Sequence, residues 1–137
     1  MICVQQTILG RGGNCFRACL ASLLEMDLSM APDVMSGPEG DNWVDRLNDW
    51  LRPRGWAAIM FLQCKETDRM VKDIIAIACG LSPRSQGEEV LMHAVVWHNG
   101  RCLWDPHPDG GGLKGKPRDY LVLIPLDPAH PAVETPQ

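Results

Sequence analysis

Hydrophobic positions near the start of the chain follow the repeat of an α-helix. From residue 16 onward they recur three or four residues apart, which is the spacing of one helical face. These positions are Phe16, Cys19, Leu20, Leu23 and Leu24. Asn14 is a favoured N-cap residue, and Gly12 and Gly13 before it suit a sharp turn into a helix. The pattern predicts a helix that begins at or near Cys15, with Cys19 in the core and Cys15 off the apolar stripe.

The patterns that follow predict a second helix and then strands. Asp41 is the expected N-cap of the second helix, and Pro53 and Gly55 are expected to end it. Runs rich in strand-forming residues cover 56–62, 74–79, 90–97, 101–105 and 120–124. Gly80 is expected to end the second of these runs. Helices followed by strands are typical of an α+β fold, in which the cysteine-bearing helix would pack on an antiparallel sheet.

Two of the predicted strands form a hairpin, and its register decides where two polar side chains lie. The runs flank Asn99-Gly100, a dipeptide typical of hairpin turns. A three-residue loop with a left-handed Gly100 would place His93 opposite Asp105. A two-residue turn would place His93 opposite Pro106 and direct Asp105 to the other face of the sheet. We predict the three-residue loop, because only that register brings the carboxylate to the imidazole without a further bulge.

A cysteine at the start of a helix is well placed for nucleophilic chemistry. The free N–H groups of a helix N-terminus stabilise a thiolate, the reactive form of cysteine, and can donate to an oxyanion beside the sulfur. Cys15 as nucleophile, His93 as base and Asp105 as the group that orients the base form an acyl-transfer constellation. A side-chain amide often helps to hold the oxyanion. Gln6 and Gln5 both lie close enough before the helix to fold back over its start.

The same residues resemble a known group of proteins. The segments concerned are Gln6-Thr7, Gly13-Asn14-Cys15-Phe16-Arg17-Ala18-Cys19-Leu20-Ala21-Ser22-Leu23-Leu24, Ser82-Pro83-Arg84, His93-Ala94-Val95-Val96 and Trp104-Asp105-Pro106-His107-Pro108. Over about residues 5–125 the chain resembles small papain-like cysteine peptidases of bacterial and phage genomes, and it is similar to the peptidase domains of bacteriocin-exporting transporters. The resemblance implies a papain-like fold, with Cys15, His93 and Asp105 as a catalytic triad and Gln6 in the oxyanion hole.

Each of these residues also has a purely structural interpretation. Cys15 could be a small buried hydrophobe, His93 a core histidine, and Asp105 the end of a strand. His107 is a rival base or a substrate contact, and Arg84 is a substrate contact or a solvated loop charge. The residues predicted to contact a substrate are Asn14, Arg84, Trp104 and His107.

Composition and charge narrow the possible classes of protein. A length of 137 residues with 45% hydrophobic residues suits one core-forming domain, expected over 1–125, with a proline-rich tail at 126–137. A net charge of −4 without a cluster of Lys and Arg argues against nucleic-acid binding. The chain shows neither the start of a signal peptide nor an apolar run of membrane-spanning length. We therefore expect a cytoplasmic protein that does not bind membranes.

The six cysteines do not form the spacing of a zinc site, although such a site is an alternative to be weighed. We expect no metal and no organic cofactor. The cysteines expected to be reduced packing residues are Cys3, Cys64, Cys79 and Cys102. The run Gly110-Gly111-Gly112 lacks the context of a phosphate-binding loop and is expected to form a flexible rim of the cleft.

The predicted chemistry is hydrolysis of an amide, peptide or isopeptide bond in a peptide or protein substrate, through a thioester on Cys15. Two alternatives remain at this point. The same triad would serve deamidation or transglutamination, since only the acceptor of the acyl group differs. The chain could also be a catalytically silent papain-like module that binds or inhibits a partner.

Overall fold

The computed structural model describes residues 1–36, 42–127 and 129. The helices are α1 Cys15–Leu24, α2 Trp43–Leu51 and α3 Lys65–Met70, and the strands are β1 Trp56–Leu62, β2 Ala76–Leu81, β3 Met92–His98, β4 Arg101–Trp104 and β5 Asp119–Pro125. Short 3₁₀ turns, Leu28–Met30 and Arg52–Arg54, follow α1 and α2. The predicted N-cap Asp41 and most of the predicted tail at 126–137 lie outside the described residues.

The five strands form one sheet with the order β1-β5-β2-β3-β4, and every neighbouring pair is antiparallel. Helix α1 packs against β3, and α2 packs against β1. The aromatic rings of Phe16 and Trp43 meet edge to face with centroids 5.2 Å apart, which joins the two helices. The predicted α+β fold, with the cysteine-bearing helix on an antiparallel sheet, is confirmed.

The central strands β2, β3 and β5 are buried on both faces, which explains why they read as continuous apolar runs. Alternate residues of a strand point to opposite faces. On β3, Ala94 and Val96 join the cluster beneath α1 and α2, whereas Val95 joins a smaller cluster. On β2, Ile77 belongs to the larger cluster and Ala76 and Ala78 to the smaller one. Cys19 is fully buried in the larger cluster, as predicted.

Several strand ends differ from the prediction by one or two residues, and two boundary residues have roles other than those predicted. Helix α2 is capped by Asn42, whose Oδ1 accepts a hydrogen bond of 3.1 Å from the backbone N–H of Val44. Gly80 does not end its strand, since β2 continues to Leu81. A Cβ on Gly80 would lie 3.3 Å from the Leu113 side chain and 3.3 Å from the backbone of Pro117. The glycine therefore serves a close approach of chain segments instead of a strand end.

All six cysteines are free. Cys79 and Cys102 are partly buried and pack against the two clusters. Cys3 and Cys64 are exposed, so the prediction that they are packing residues is wrong. No helix among the described residues combines the length and apolar character that crossing a membrane requires.

Candidate active site

Cys15 is the first residue of α1, as predicted. Asn14 occupies the N-cap position, but its side chain makes no capping hydrogen bond. Its Oδ1 accepts hydrogen bonds from the backbone N–H groups of Thr7 and Ile8, at 2.9 and 3.0 Å, and its Nδ2 donates to the Thr7 hydroxyl at 2.9 Å. Asn14 thereby fixes the loop that leads into the helix. Asn14 is not among the residues that line the hollow beside Cys15, and its role as a substrate contact stays a prediction.

The Cys15 thiol and the His93 imidazole contact each other. Burial raises the pKa of Cys15, but the hydrogen bond to His93, the charge of His93 and the backbone N–H groups of Ala94 and Phe16 outweigh burial and leave that pKa below its ordinary value. Burial lowers the pKa of His93, but hydrogen bonds to Asp105 and Cys15 raise it to about 9. The two shifts favour a thiolate beside an imidazolium.

Asp105 holds the other side of the imidazole. Nε2 of His93 lies 2.7 Å from Oδ1 of Asp105, and both side chains are nearly buried. Because Nε2 is engaged by the carboxylate, Nδ1 is the nitrogen left to contact Cys15. The carboxylate also accepts hydrogen bonds from the backbone N–H groups of His107 and Gly112, at 2.9 and 2.8 Å. Burial raises the pKa of Asp105, but these hydrogen bonds and that to His93 lower it, so the carboxylate stays ionised.

The hairpin brings His93 and Asp105 together by a different register from the one predicted. His98 pairs with Arg101 across a two-residue turn, in which Asn99 and Gly100 both have positive φ angles of 53° and 77°. The predicted three-residue loop is therefore wrong, and the turn is of the type that Asn-Gly favours. On this register alone, the side chains of His93 and Asp105 would lie on opposite faces of the sheet.

A β-bulge restores the contact. Trp97 pairs with Cys102, but the next residue of β3, Val96, pairs with Trp104. Leu103 is thus an extra residue on β4, and every position beyond it is shifted by one. The shift returns Asp105 to the same face as His93, where the 2.7 Å contact forms.

The three glycines 110–112 help to orient Asp105, a role that sequence reasoning missed. All three have positive φ angles, between 64° and 97°. This left-handed backbone, which glycine adopts without strain, turns the Gly112 N–H toward Oδ2 of Asp105 and the Gly110 carbonyl toward Arg84. These contacts were not predicted, and the flexible rim stays a prediction. The signal available in the sequence was the run of three glycines that ends seven residues after Asp105.

Gln6, but not Gln5, lies at the site. Gln6 is 6% exposed and lines the cleft beside Cys15, whereas Gln5 is exposed. Its Nε2 donates to the Ile8 carbonyl at 3.0 Å, which leaves one N–H of the amide for another acceptor. Its backbone N–H donates to the Pro106 carbonyl at 3.0 Å, which ties Gln6 to the residue after Asp105. The Gln6 amide therefore has one N–H without a hydrogen-bond partner among the described residues, at the hollow that Cys15 also lines.

Trp104 contacts the N-terminal segment and the larger core cluster. Its indole Nε1 donates to the Val4 carbonyl at 3.0 Å, and its ring packs against the larger core cluster. It is not among the residues that line the hollow beside Cys15, and its role as a substrate contact stays a prediction. Together with the bond from Gln6 to Pro106, this contact anchors the N-terminal segment along the end of β4.

Arg84 and His107 line the same cleft as the candidate triad. We call this hollow of about 280 Å³ the Arg84 cleft, with walls that include Gln6, Cys15, Arg84, His93, His107 and Asp109. The ring of His107 meets that of His93 edge to face with centroids 6.1 Å apart. Burial and the charge of Arg84 lower the pKa of His107. Since His93 is the imidazole in contact with Cys15, the rival role of His107 as the base is not supported by the geometry.

Comparisons with protein-family models, with curated proteins and with solved structures found no match. Among residues 1–36, 42–127 and 129, no group of three or more His, Cys, Asp or Glu side chains is placed to hold a metal ion. The geometry itself is that of a nucleophile, a base and an orienting carboxylate in line.

Proposed function

We propose that this protein is a papain-like cysteine hydrolase that cleaves an amide, peptide or isopeptide bond. The observation that carries the proposal is the chain of contacts from the Cys15 thiol through the imidazole of His93 to Asp105, with 2.7 Å between Nε2 and Oδ1. The lowered pKa of Cys15 supports the proposal, because a silent binding module has no need of an activated thiol.

The mechanism begins with the Cys15 thiolate and the His93 imidazolium. The sulfur attacks the carbonyl carbon of the substrate, and the electron pair of the C=O bond moves onto the oxygen. The Cys15 backbone N–H and the free N–H of the Gln6 amide donate to this oxyanion. As the oxyanion collapses, the C–N bond breaks and Nδ1 of His93 gives its proton to the leaving amine, which leaves a thioester.

Water then completes the reaction. His93, now neutral, takes a proton from the water that attacks the thioester, and the C–S bond breaks to release the acid and the thiolate. Asp105 accepts a hydrogen bond from Nε2 throughout, which fixes the tautomer that presents Nδ1 to the sulfur. These steps require no group beyond the residues of the chain and water.

Alkylation by iodoacetamide, mapped by mass spectrometry as a function of pH, tests the activated thiol. We expect Cys15 to be alkylated faster than any other cysteine, with an apparent pKa below ~8.5, the value of a free thiol. Cys3 and Cys64 are internal controls, because both are free and exposed. His93→Ala removes the hydrogen bond and the charge that lower the pKa of Cys15, whereas burial still raises it. The apparent pKa of Cys15 should therefore rise.

Acyl transfer is tested with p-nitrophenyl acetate. An acetyl thioester on Cys15, absent in Cys15→Ala and strongly reduced in His93→Ala, is the expected result. Labelling of Cys15 no faster than that of Cys3 and Cys64, together with no acetylation, would overturn the proposal in favour of a binding module.

A further inference from the structure

The Arg84 cleft contains a positive charge that the candidate triad does not use. Nη1 of Arg84 donates to the Gly110 carbonyl at 2.9 Å, but Nη2 is buried and has no hydrogen-bond partner among the described residues. Across that same part of the chain, no carboxylate lies within ion-pair distance of Arg84. A buried donor without a partner is costly, and an anion that reaches it recovers that cost.

His107 supplies a second donor in the same cleft. Its Nδ1 accepts a hydrogen bond of 3.0 Å from the backbone N–H of Asp109, so the proton of the neutral ring is on Nε2. His107 is only 7% exposed, and no acceptor for Nε2–H is found among the residues described. Arg84 also lowers the pKa of this ring, after burial, which indicates that the two donors lie near each other.

We propose that the Arg84 cleft binds a carboxylate of the substrate, held by Arg84 and by the Nε2–H of His107, next to the carbonyl that Cys15 attacks. This inference rests on the proposed function and names its substrate class: an acyl compound with a carboxylate close to the scissile bond. Asp109 lines the same cleft and opposes the anion, but its side chain is 86% exposed, so water screens its charge far more than that of the guanidinium.

A pair of matched reagents tests the charge of the cleft. Iodoacetate and iodoacetamide alkylate the same sulfur and differ chiefly in the carboxylate of the first. The measured quantity is the rate constant for iodoacetate divided by that for iodoacetamide, both at Cys15, at a fixed pH and low ionic strength. In Arg84→Gln we expect the ratio to fall about five- to ten-fold, the effect of one cation on the local concentration of an anion.

Three further variants separate charge from structure. Arg84→Lys keeps the charge but loses the hydrogen bond from the guanidinium to the Gly110 carbonyl, and its ratio should stay near that of the wild type. Asp109→Asn should raise the ratio, because it removes the opposing carboxylate. Arg101→Gln, at the exposed end of the hairpin, should leave the ratio unchanged. An Arg84→Gln ratio equal to that of the wild type would overturn the proposal, even where iodoacetamide alone shows that Cys15 is activated.

The carboxylate of a peptide substrate belongs either to its C-terminus or to an acidic side chain. Protection of Cys15 from iodoacetamide by short peptides distinguishes these two sources. The probes are N-acetyl-Ala-Ala with a free C-terminus, N-acetyl-Asp-Ala amide and the neutral N-acetyl-Ala-Ala amide. Stronger protection by the first than by the neutral peptide indicates a C-terminal carboxylate, and stronger protection by the second indicates an acidic side chain. Equal protection by all three peptides would contradict an anion-binding subsite.

Discussion

Among single residues, the charge of Asp105 controls the ionisation of the other two members of the candidate triad. Asp105→Asn keeps the size of the side chain but removes its charge. It also places an amide N–H₂ where the carboxylate now accepts from backbone N–H groups of His107 and Gly112. We expect the pKa of His93 to fall from about 9 and that of Cys15 to rise. Acetylation of Cys15 should slow by about 100-fold or more.

The pH profile of acetylation checks this prediction. The reactive form has a thiolate and a protonated imidazole, so the rate should fall in acid as Cys15 gains a proton and fall again as pH rises through about 9, where His93 loses its proton. In Asp105→Asn the alkaline limb should move to lower pH and the acid limb to higher pH. Asp73→Asn, at an exposed carboxylate that does not line the Arg84 cleft, is the matched control. Unmoved limbs in Asp105→Asn would show that the carboxylate only fills space.

Gln6 should matter for acyl transfer but not for alkylation. Alkylation by iodoacetamide forms no oxyanion, whereas attack on an ester does, so a donor to the oxyanion affects only the second reaction. Gln6→Ala should therefore reduce acetylation of Cys15 by about 100-fold while its alkylation stays within a few-fold of the wild-type rate. Gln5→Ala, at the exposed neighbouring position, should change neither rate. Equal losses in both reactions of Gln6→Ala would instead indicate a collapsed loop.

Residue types at the site were predictable where the signal is local. Cys15 could be placed at a helix start because a glycine turn, a cap residue and an apolar stripe all lie within about ten residues of it. The side-chain contacts of Asn14 and Trp104 could not be predicted in the same way. Asn14 binds Thr7 and Ile8 across a loop, and the partner of Trp104, Val4, lies 100 residues away along the chain. Polar contacts that cross a loop or join distant parts of the chain produce no periodic pattern in the sequence, so they could not be predicted from it.

Among the elements, the bulge in β4 sets the register of the strand beyond it. Leu103 has no partner of its own on β3 and is 37% exposed, so its side chain contributes little to the core. Deleting Leu103 should remove the bulge but keep the pairs beyond it, with Trp104 opposite Val96 and Asp105 on the same face as His93. We expect the acetylation rate of Cys15 to stay within a few-fold of the wild-type rate and the pKa of His93 to stay raised, as measured by NMR titration of the imidazole.

Replacing the same residue without shortening the strand provides the control. Leu103→Ser keeps the bulge, so its acetylation rate should remain close to the wild-type rate. Far-ultraviolet circular dichroism would establish that the deletion variant still folds. A folded deletion variant that no longer acetylates Cys15 would mean that the local bend of the bulge, and not the register alone, brings Asp105 to His93.

The hairpin also shows the limit of local reasoning at this scale. Asn99-Gly100 favoured the two-residue turn that is present. In a ladder without a bulge, however, only the three-residue loop places Asp105 opposite His93. Both are reconciled by an extra residue at Leu103, which no turn residue or change of hydrophobic period marks in the sequence. The contact was predicted and is present at 2.7 Å, although the predicted route to it was wrong.

In the molecule as a whole, one sheet supports both core clusters and carries the site at one end. Its α+β class followed from periodicity, because strands buried on both faces stand out as apolar runs. The strand order, with β5 between β1 and β2, did not follow, since pairing of distant strands depends on the whole fold. The segments around residues 6, 15, 93 and 105 are distant in sequence and come together in the folded domain. The site should therefore persist only while the whole domain is folded.

A core substitution tests this coupling between the sheet and the site. Ile77 is fully buried and pairs with both Val96 and Leu121, so it lies at the centre of the sheet. Ile77→Ala should reduce the free energy of unfolding by about 2–5 kcal/mol. Ile59→Ala, on the edge strand β1 and 43% exposed, should reduce it by much less. Urea titrations followed by tryptophan fluorescence measure both values.

The two cysteines of α1 then report whether the site and the core unfold together. Cys19 is fully buried and burial raises its pKa well above the ordinary value, so it should be alkylated only when the domain unfolds. Cys15 should be alkylated in the folded state and lose its fast reactivity at the same urea concentration at which Cys19 becomes reactive. In Ile77→Ala both changes should move together to lower urea, by the shift that fluorescence shows. If Cys15 lost its reactivity well before Cys19 gained any, the site would be a separately unfolding unit, and the His93 hairpin would be the segment to detach first, because it lies at the edge of the sheet.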